Sequence, residues 1–111
     1  MNDYLIFYAL KLLSENKNRE IESSVLSDFF IKLNKKGINL TPIIADANGL
    51  ATPYLKHSLQ DYLIYNIIKW TNPIELTELG EKYIDEKISI LSKSPEFPGY
   101  KQKFLEVMSE L

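Results

Sequence analysis

Ile74-Glu75-Leu76-Thr77-Glu78-Leu79-Gly80-Glu81-Lys82-Tyr83-Ile84 reads as a strand that runs directly into a helix. Ile74 and Leu76 flank a glutamate, the period-two alternation of a half-buried strand. Thr77 has the hydroxyl of an N-cap, and Glu78 and Glu81 fall in the first turn, where the helix dipole favours acids. The predicted helix continues to about Leu91. Its Leu79, Tyr83, Ile84, Ile88, Ile90 and Leu91 spread over roughly half the circumference, more than one core face needs. Gly80, where alanine would be the better helix former, predicts close approach of a neighbouring backbone.

Working outward, Ile64 to Trp70 has the β-branched and aromatic content of a strand, and Thr71-Asn72-Pro73 turns the chain into the return strand. Upstream, Thr41-Pro42 and Thr52-Pro53 each set a capping hydroxyl before a proline at the first helical position. They predict helices over Pro42 to Asn48, ending at Gly49, and over Pro53 to about Leu63, with Leu55, Leu59, Tyr62 and Leu63 inward. Asn48-Gly49 also spells a hairpin turn, but no alternating strand precedes it, which favours the helix. Ile38-Asn39-Leu40 is long enough only for a brief strand. Before it, Ser23 or Ser24 caps a helix bearing Val25, Leu26, Phe29, Phe30 and Leu33, stopped by Lys35-Lys36-Gly37.

At the amino end, Asn2 caps a helix from about Asp3 to Glu15 whose opening, Tyr4 to Leu10, is apolar on every face. Such a helix must be buried all round, and a small domain rarely encloses a terminal helix alone, so a partner chain is expected to cover it. At the carboxyl end, a loop over Ser92 to Gly99 leads to an amphipathic helix with Tyr100, Phe104, Val107, Met108 and Leu111 on one face. The expected homodimer interface comprises Tyr4, Phe7, Tyr8, Ile88, Leu91, Phe104 and Met108. The layout is one domain over 1–111, with a dimerisation helix (1–22), a core (23–84) and a helical extension (85–111). The fold class is mostly α with a small β-hairpin.

Residues 38 to 84 resemble the winged helix-turn-helix superfamily. Ile44-Ala45 with Gly49 and Leu50 is similar to the first helix and turn of that motif, and Leu55 to the apolar position inside its recognition helix. Leu76-Thr77 with Gly80, following a strand-turn-strand, resembles the family's closing signature. The flanking helices resemble those of small dimeric regulators of the MarR and PadR type. The resemblance implies a homodimeric transcriptional regulator that sends the helix at 53–63 into the major groove of double-stranded DNA, with 64–76 as the wing.

On that helix, with Leu55 inward, Tyr54, Lys56, His57, Gln60 and Asp61 point outward. Gln60 suits adenine and Lys56 guanine or phosphate, while Tyr54 and His57 suit phosphate. Thr41 and Thr52 offer helix amino ends to phosphates, and Lys69 and Asn72 belong to the wing. Residues 41–72 nevertheless balance Lys56 and Lys69 against Asp46 and Asp61. Binding through so neutral a surface would be modest and salt-sensitive. Lys32, Lys35 and Lys36 would help if they lie on the same side. The alternative is a winged-helix adaptor that docks another protein through Tyr54, His57, Asp61 and the acidic helix, since fold does not fix function.

Composition narrows the field. The chain has 111 residues, 45% of them apolar and 25% charged, which describes one folded domain rather than a disordered tail. Its net charge of −2 excludes a polycation that binds nucleic acid by bulk charge. Without cysteine, and with His57 the only histidine, there is no thiol nucleophile and no zinc-ligand set. No serine or threonine has an evident base partner and no glycine-rich phosphate loop occurs, so neither enzyme activity, a cofactor nor a metal is expected. Tyr4 to Leu10 is far shorter than the roughly 20 residues that cross a bilayer, and no basic cluster precedes it. A cytoplasmic protein that does not enter membranes is the expectation.

Overall fold

The computed structural model describes residues 2–16, 20–47 and 49–111. Among them, five helices and two antiparallel hairpins alternate. Helices α1 (Asn2–Asn16) and α2 (Ser23–Lys35) precede the hairpin of β1 (Ile44–Asp46) and β2 (Gly49–Ala51). Helix α3 (Leu55–Ile64), the hairpin of β3 (Ile68–Thr71) and β4 (Ile74–Leu76), and helices α4 (Glu78–Leu91) and α5 (Phe97–Ser109) follow. The chain is thus mostly helical with a small β component, as expected.

The β4–α4 junction forms as the sequence predicts. The Thr77 hydroxyl accepts from the Gly80 amide at 2.7 Å and donates to the Asn66 carbonyl at 2.6 Å. Its own amide donates to the Ile67 carbonyl at 3.0 Å. A Cβ on Gly80 would stand 1.9 Å from that same Ile67 oxygen, so the turn between α3 and β3 lies directly on the first turn of α4. Asn66 makes that turn in the left-handed region, at φ 62°. A second tie holds β4 from its other edge: Ile21 and Ile74 exchange two backbone hydrogen bonds, at 2.9 and 2.7 Å. Ile21 therefore acts as a one-residue third strand beside β3–β4.

The structure departs from the sequence expectations at several elements. The first is Pro42 to Asn48, which forms no helix: Ile44 pairs with Ala51, Ala45 with Leu50 and Asp46 with Gly49. Seven residues give little return on the cost of helix nucleation, and Ile43-Ile44 prefer extended backbone. Gly49, at φ 114°, supplies the conformation that the turn needs; Asn48 lies outside the described residues. Secondly, the helix expected from Pro53 begins at Leu55, and the strand expected from Ile64 begins at Ile68. Ile38 to Leu40 forms no strand either.

The apolar first helix is enclosed within the single chain. Leu5 to Leu10 and Leu13 are buried by this chain's own elements. Phe7 meets Tyr62 of α3 and Tyr83 of α4, at centroid distances of 5.0 and 5.6 Å. Tyr8 meets Phe97 and Phe104, at 5.3 and 5.0 Å. Of the expected dimer contacts, Phe7, Tyr8, Leu91 and Phe104 are interior residues of the single chain, and Tyr4, Ile88 and Met108 are half-buried against the same core. Helices α3 and α4 cover Phe7, and a loop after α4 lets α5 fold back over Tyr8. Outside the core, Lys11 Nζ reaches Asp85 at 2.9 Å, and that hydrogen bond holds its ammonium pKa above the ordinary lysine value.

Candidate nucleic-acid interface

Helix α3 buries Leu55, Leu59 and Tyr62 and turns Lys56, His57, Gln60 and Asp61 to solvent, the division its 3.6-residue period dictates. The exposed face borders a groove of about 400 Å³ in which three elements converge. Lys56 and Gln60 form its α3 wall, Ser23, Ser24 and Ser27 the wall from the start of α2, and Thr71 and Asn72 its end at the tip of β3–β4. Thr52 and the edges of Leu55 and Leu59 complete it.

Hydroxyl hydrogen bonds fix this convergence. Ser23 Oγ donates to the Thr71 carbonyl at 2.8 Å, tying the amino end of α2 to the hairpin tip, and lies 3.4 Å from Asn72 Oδ1. Ser27 and Thr52 share a hydrogen bond of 2.8 Å between their hydroxyls, which ties α2 to the approach of α3. Helix α2 opens at Glu22 without a side-chain cap, and the Val25 amide turns back to the Glu22 carbonyl at 3.0 Å, ahead of which stand the amides of Ser23 and Ser24. Uncapped N–H groups and the positive end of the dipole favour an anion there.

Of the expected DNA-contacting residues, Thr52, Lys56, Gln60 and Asn72 share this groove. Tyr54 and His57 stand exposed at the start of α3, with ring centroids 6.3 Å apart. Lys69 is paired with Glu75 at 2.9 Å. Thr41 lies in a different concavity, beside Asn34 and Asn39, and begins no helix. Thr52 begins none either, since Tyr54 is the N-cap of α3. Lys32 and Lys36 are engaged near the carboxyl end of α2, Lys32 with Asp28 and the Glu110 carbonyl and Lys36 with Glu106 and Glu110.

Nothing in the sequence marks Ser27 and Thr71 as site residues, and it marks Ser23 and Ser24 only as alternative caps. What aligns them is the Ile21–Ile74 pairing, a single-residue bridge without any periodic signature. Among the described residues, no group of three or more His, Asp or Glu side chains is placed to hold a metal ion. No described helix is long and apolar enough to cross a membrane. Compared with known families, curated proteins and solved structures, the chain matches none.

Proposed function

We propose that this chain is a winged-helix DNA-binding module, a transcriptional regulator acting as a homodimer. The observation that carries the reading is the groove where the uncapped start of α2, the outer face of α3 and the β3–β4 tip meet. The element order supports it. Helix α1, the strand point at Ile21, helix α2, helix α3, then β3, β4 and α4 follow the winged-helix sequence, with the β1–β2 hairpin inserted between the paired helices. The reading unit is then α2 with α3, in place of a pair built from 42–63.

In this reading α3 lies in the major groove. Gln60 reads a base edge, Lys56 meets phosphate or guanine, the first-turn amides of α2 take a phosphate, and Asn72 touches the backbone from the wing. Glu22 and Asp61 offset Lys56, so one protomer neutralises few phosphates and a dimer is needed for useful affinity. Two half-sites about 34 Å apart would serve it.

The test is fluorescence anisotropy on fragments of the source genome at about 50 and then 200 mM salt. Binding to a few fragments should survive the salt step. Lys56→Ala should weaken binding to all sequences alike, and Gln60→Ala should cost roughly 1–3 kcal/mol at one base position. Equal losses from Gln60→Ala on specific and random DNA would remove Gln60 from the reading role. The absence of binding at low salt by folded protein would overturn the proposal.

A second reading is favoured by one observation. Ile64 and Tyr65, at the end of α3, are 77% and 73% exposed, and Trp70 on β3 is 58% exposed. Large apolar side chains left this exposed suit a protein partner. A chain that ignores DNA but loses a partner on Tyr65→Ser and Trp70→Ser would be an adaptor.

A further inference from the structure

The residues of α3 that face away from Lys56 and Gln60 border a second concavity, where the helix meets the first turn of α1 and the start of α4. It measures about 490 Å³, within the span of small-molecule sites. Its walls carry the rings of Tyr4, Phe7, Tyr62, Tyr65 and Tyr83. Two carboxylates, Asp3 and Asp61, join them, and no lysine or arginine lines it among the described residues.

Two details give this lining a chemical sense. Tyr62 Oη donates to Asp3 Oδ1 at 2.9 Å. Burial, then the nearby Asp3 carboxylate, push the phenol pKa far above its ordinary value, so the hydroxyl stays a donor and orients the carboxylate. At the outer edge, Lys87 Nζ lies 4.9 Å from the Tyr83 ring centre and 5.8 Å from that of Tyr4. The chain's own ammonium thus rests on two of the rings, the attraction expected between a cation and aromatic faces. Asp3 stands in the first turn of α1, where the helix dipole offsets part of its charge, so one positive charge suits the site better than several.

We propose that this concavity binds a small organic monocation, a substituted ammonium with an aryl or alkyl body, enclosed by the tyrosine rings and balanced by Asp3 and Asp61. The proposal does not rest on DNA binding, because the groove bordered by Lys56 and Gln60 and this concavity share no lining residue. A neutral aromatic ligand would fill the same rings but leave the carboxylates unanswered. An anion would be repelled by them.

The experiment is an NMR titration of the full chain with benzyltrimethylammonium, alongside choline and its uncharged carbon isostere 3,3-dimethylbutan-1-ol. Saturable shifts at Tyr62, Tyr65 and Tyr83 with a Kd of roughly 1 mM or tighter are expected for the aryl cation. The isostere should bind at least about 5-fold more weakly than choline. Asp61→Asn, at an exposed carboxylate that the fold does not need, and Tyr83→Leu should each weaken the aryl cation about 3-fold or more. Equal binding of choline and its isostere would overturn the cationic class. Shifts confined to other surfaces, or none up to about 50 mM, would overturn the site.

Discussion

Among the described residues, two hairpins of similar size are held in opposite ways. In β3–β4, Ile68, Ile74 and Leu76 are buried, Ile21 pairs along the outer edge, and Thr77 and Gly80 fasten the end of the hairpin to α4. In β1–β2, by contrast, Ile44, Ala45, Gly49 and Leu50 are all exposed, and among the described residues the three-residue strands have only each other as ladder partners. An isolated two-stranded hairpin is marginal in water, because its ladder only replaces hydrogen bonds that water would make. The difference teaches that what a hairpin contributes here depends on what its side chains bury. The stretch from Ile68 to Ile84 is a structural hub, and β1–β2 is an appendage joining α2 to α3.

Gly80→Ala should break that contrast most severely. The new methyl would meet the Ile67 carbonyl at 1.9 Å, and backbone on both sides leaves neither partner a rotamer by which to escape. Overpacking against backbone should cost about 3 kcal/mol or more, read by urea unfolding. A loss below about 1 kcal/mol would mean that α4 can move away from the α3–β3 turn, so that the hub is looser than described.

Thr77→Ala comes next. It removes a cap acceptor and a donor to Asn66 in one step, and should cost about 1–2 kcal/mol. Thr77→Ser, which keeps the hydroxyl, should recover most of that loss. If serine were no better than alanine, the methyl group's packing rather than the two hydrogen bonds would be what the junction needs.

The same contrast explains what could be read in advance. At the hub, local and long-range demands coincide. Thr77 is the best cap in its segment, Ile74 and Leu76 alternate as a strand must, and Gly80 is an anomaly that only a close neighbour explains. Around the appendage, the local signals conflicted. Thr41-Pro42 has the form of a helix start, but a cap signal cannot show whether enough residues follow to sustain a helix, and Gly49 serves the hairpin instead. The all-apolar α1 was legible as a helix that must be covered, whereas the identity of the cover was not. It depends on α5 returning over Tyr8, a fact of topology that no pattern within Tyr4–Leu10 records. In the candidate interface, Lys56 and Gln60 followed from helical period alone. Their serine companions on α2 did not, since they reach the groove through the pairing of Ile21 with Ile74.

Leu50→Ser sharpens the comparison from the other side and should have the smallest effect. Leu50 is half exposed and faces Ala45 across the hairpin, so serine uncovers little apolar surface that water does not already reach. It also leaves the backbone pairing intact. A change in stability within about 0.5 kcal/mol is expected from urea unfolding, with an unchanged m-value. A loss above about 1.5 kcal/mol would mean that Leu50 is buried in solution by something beyond this single chain. Because that burial would come from a second molecule, the loss should then grow on dilution, which separates it from any defect within the hairpin itself.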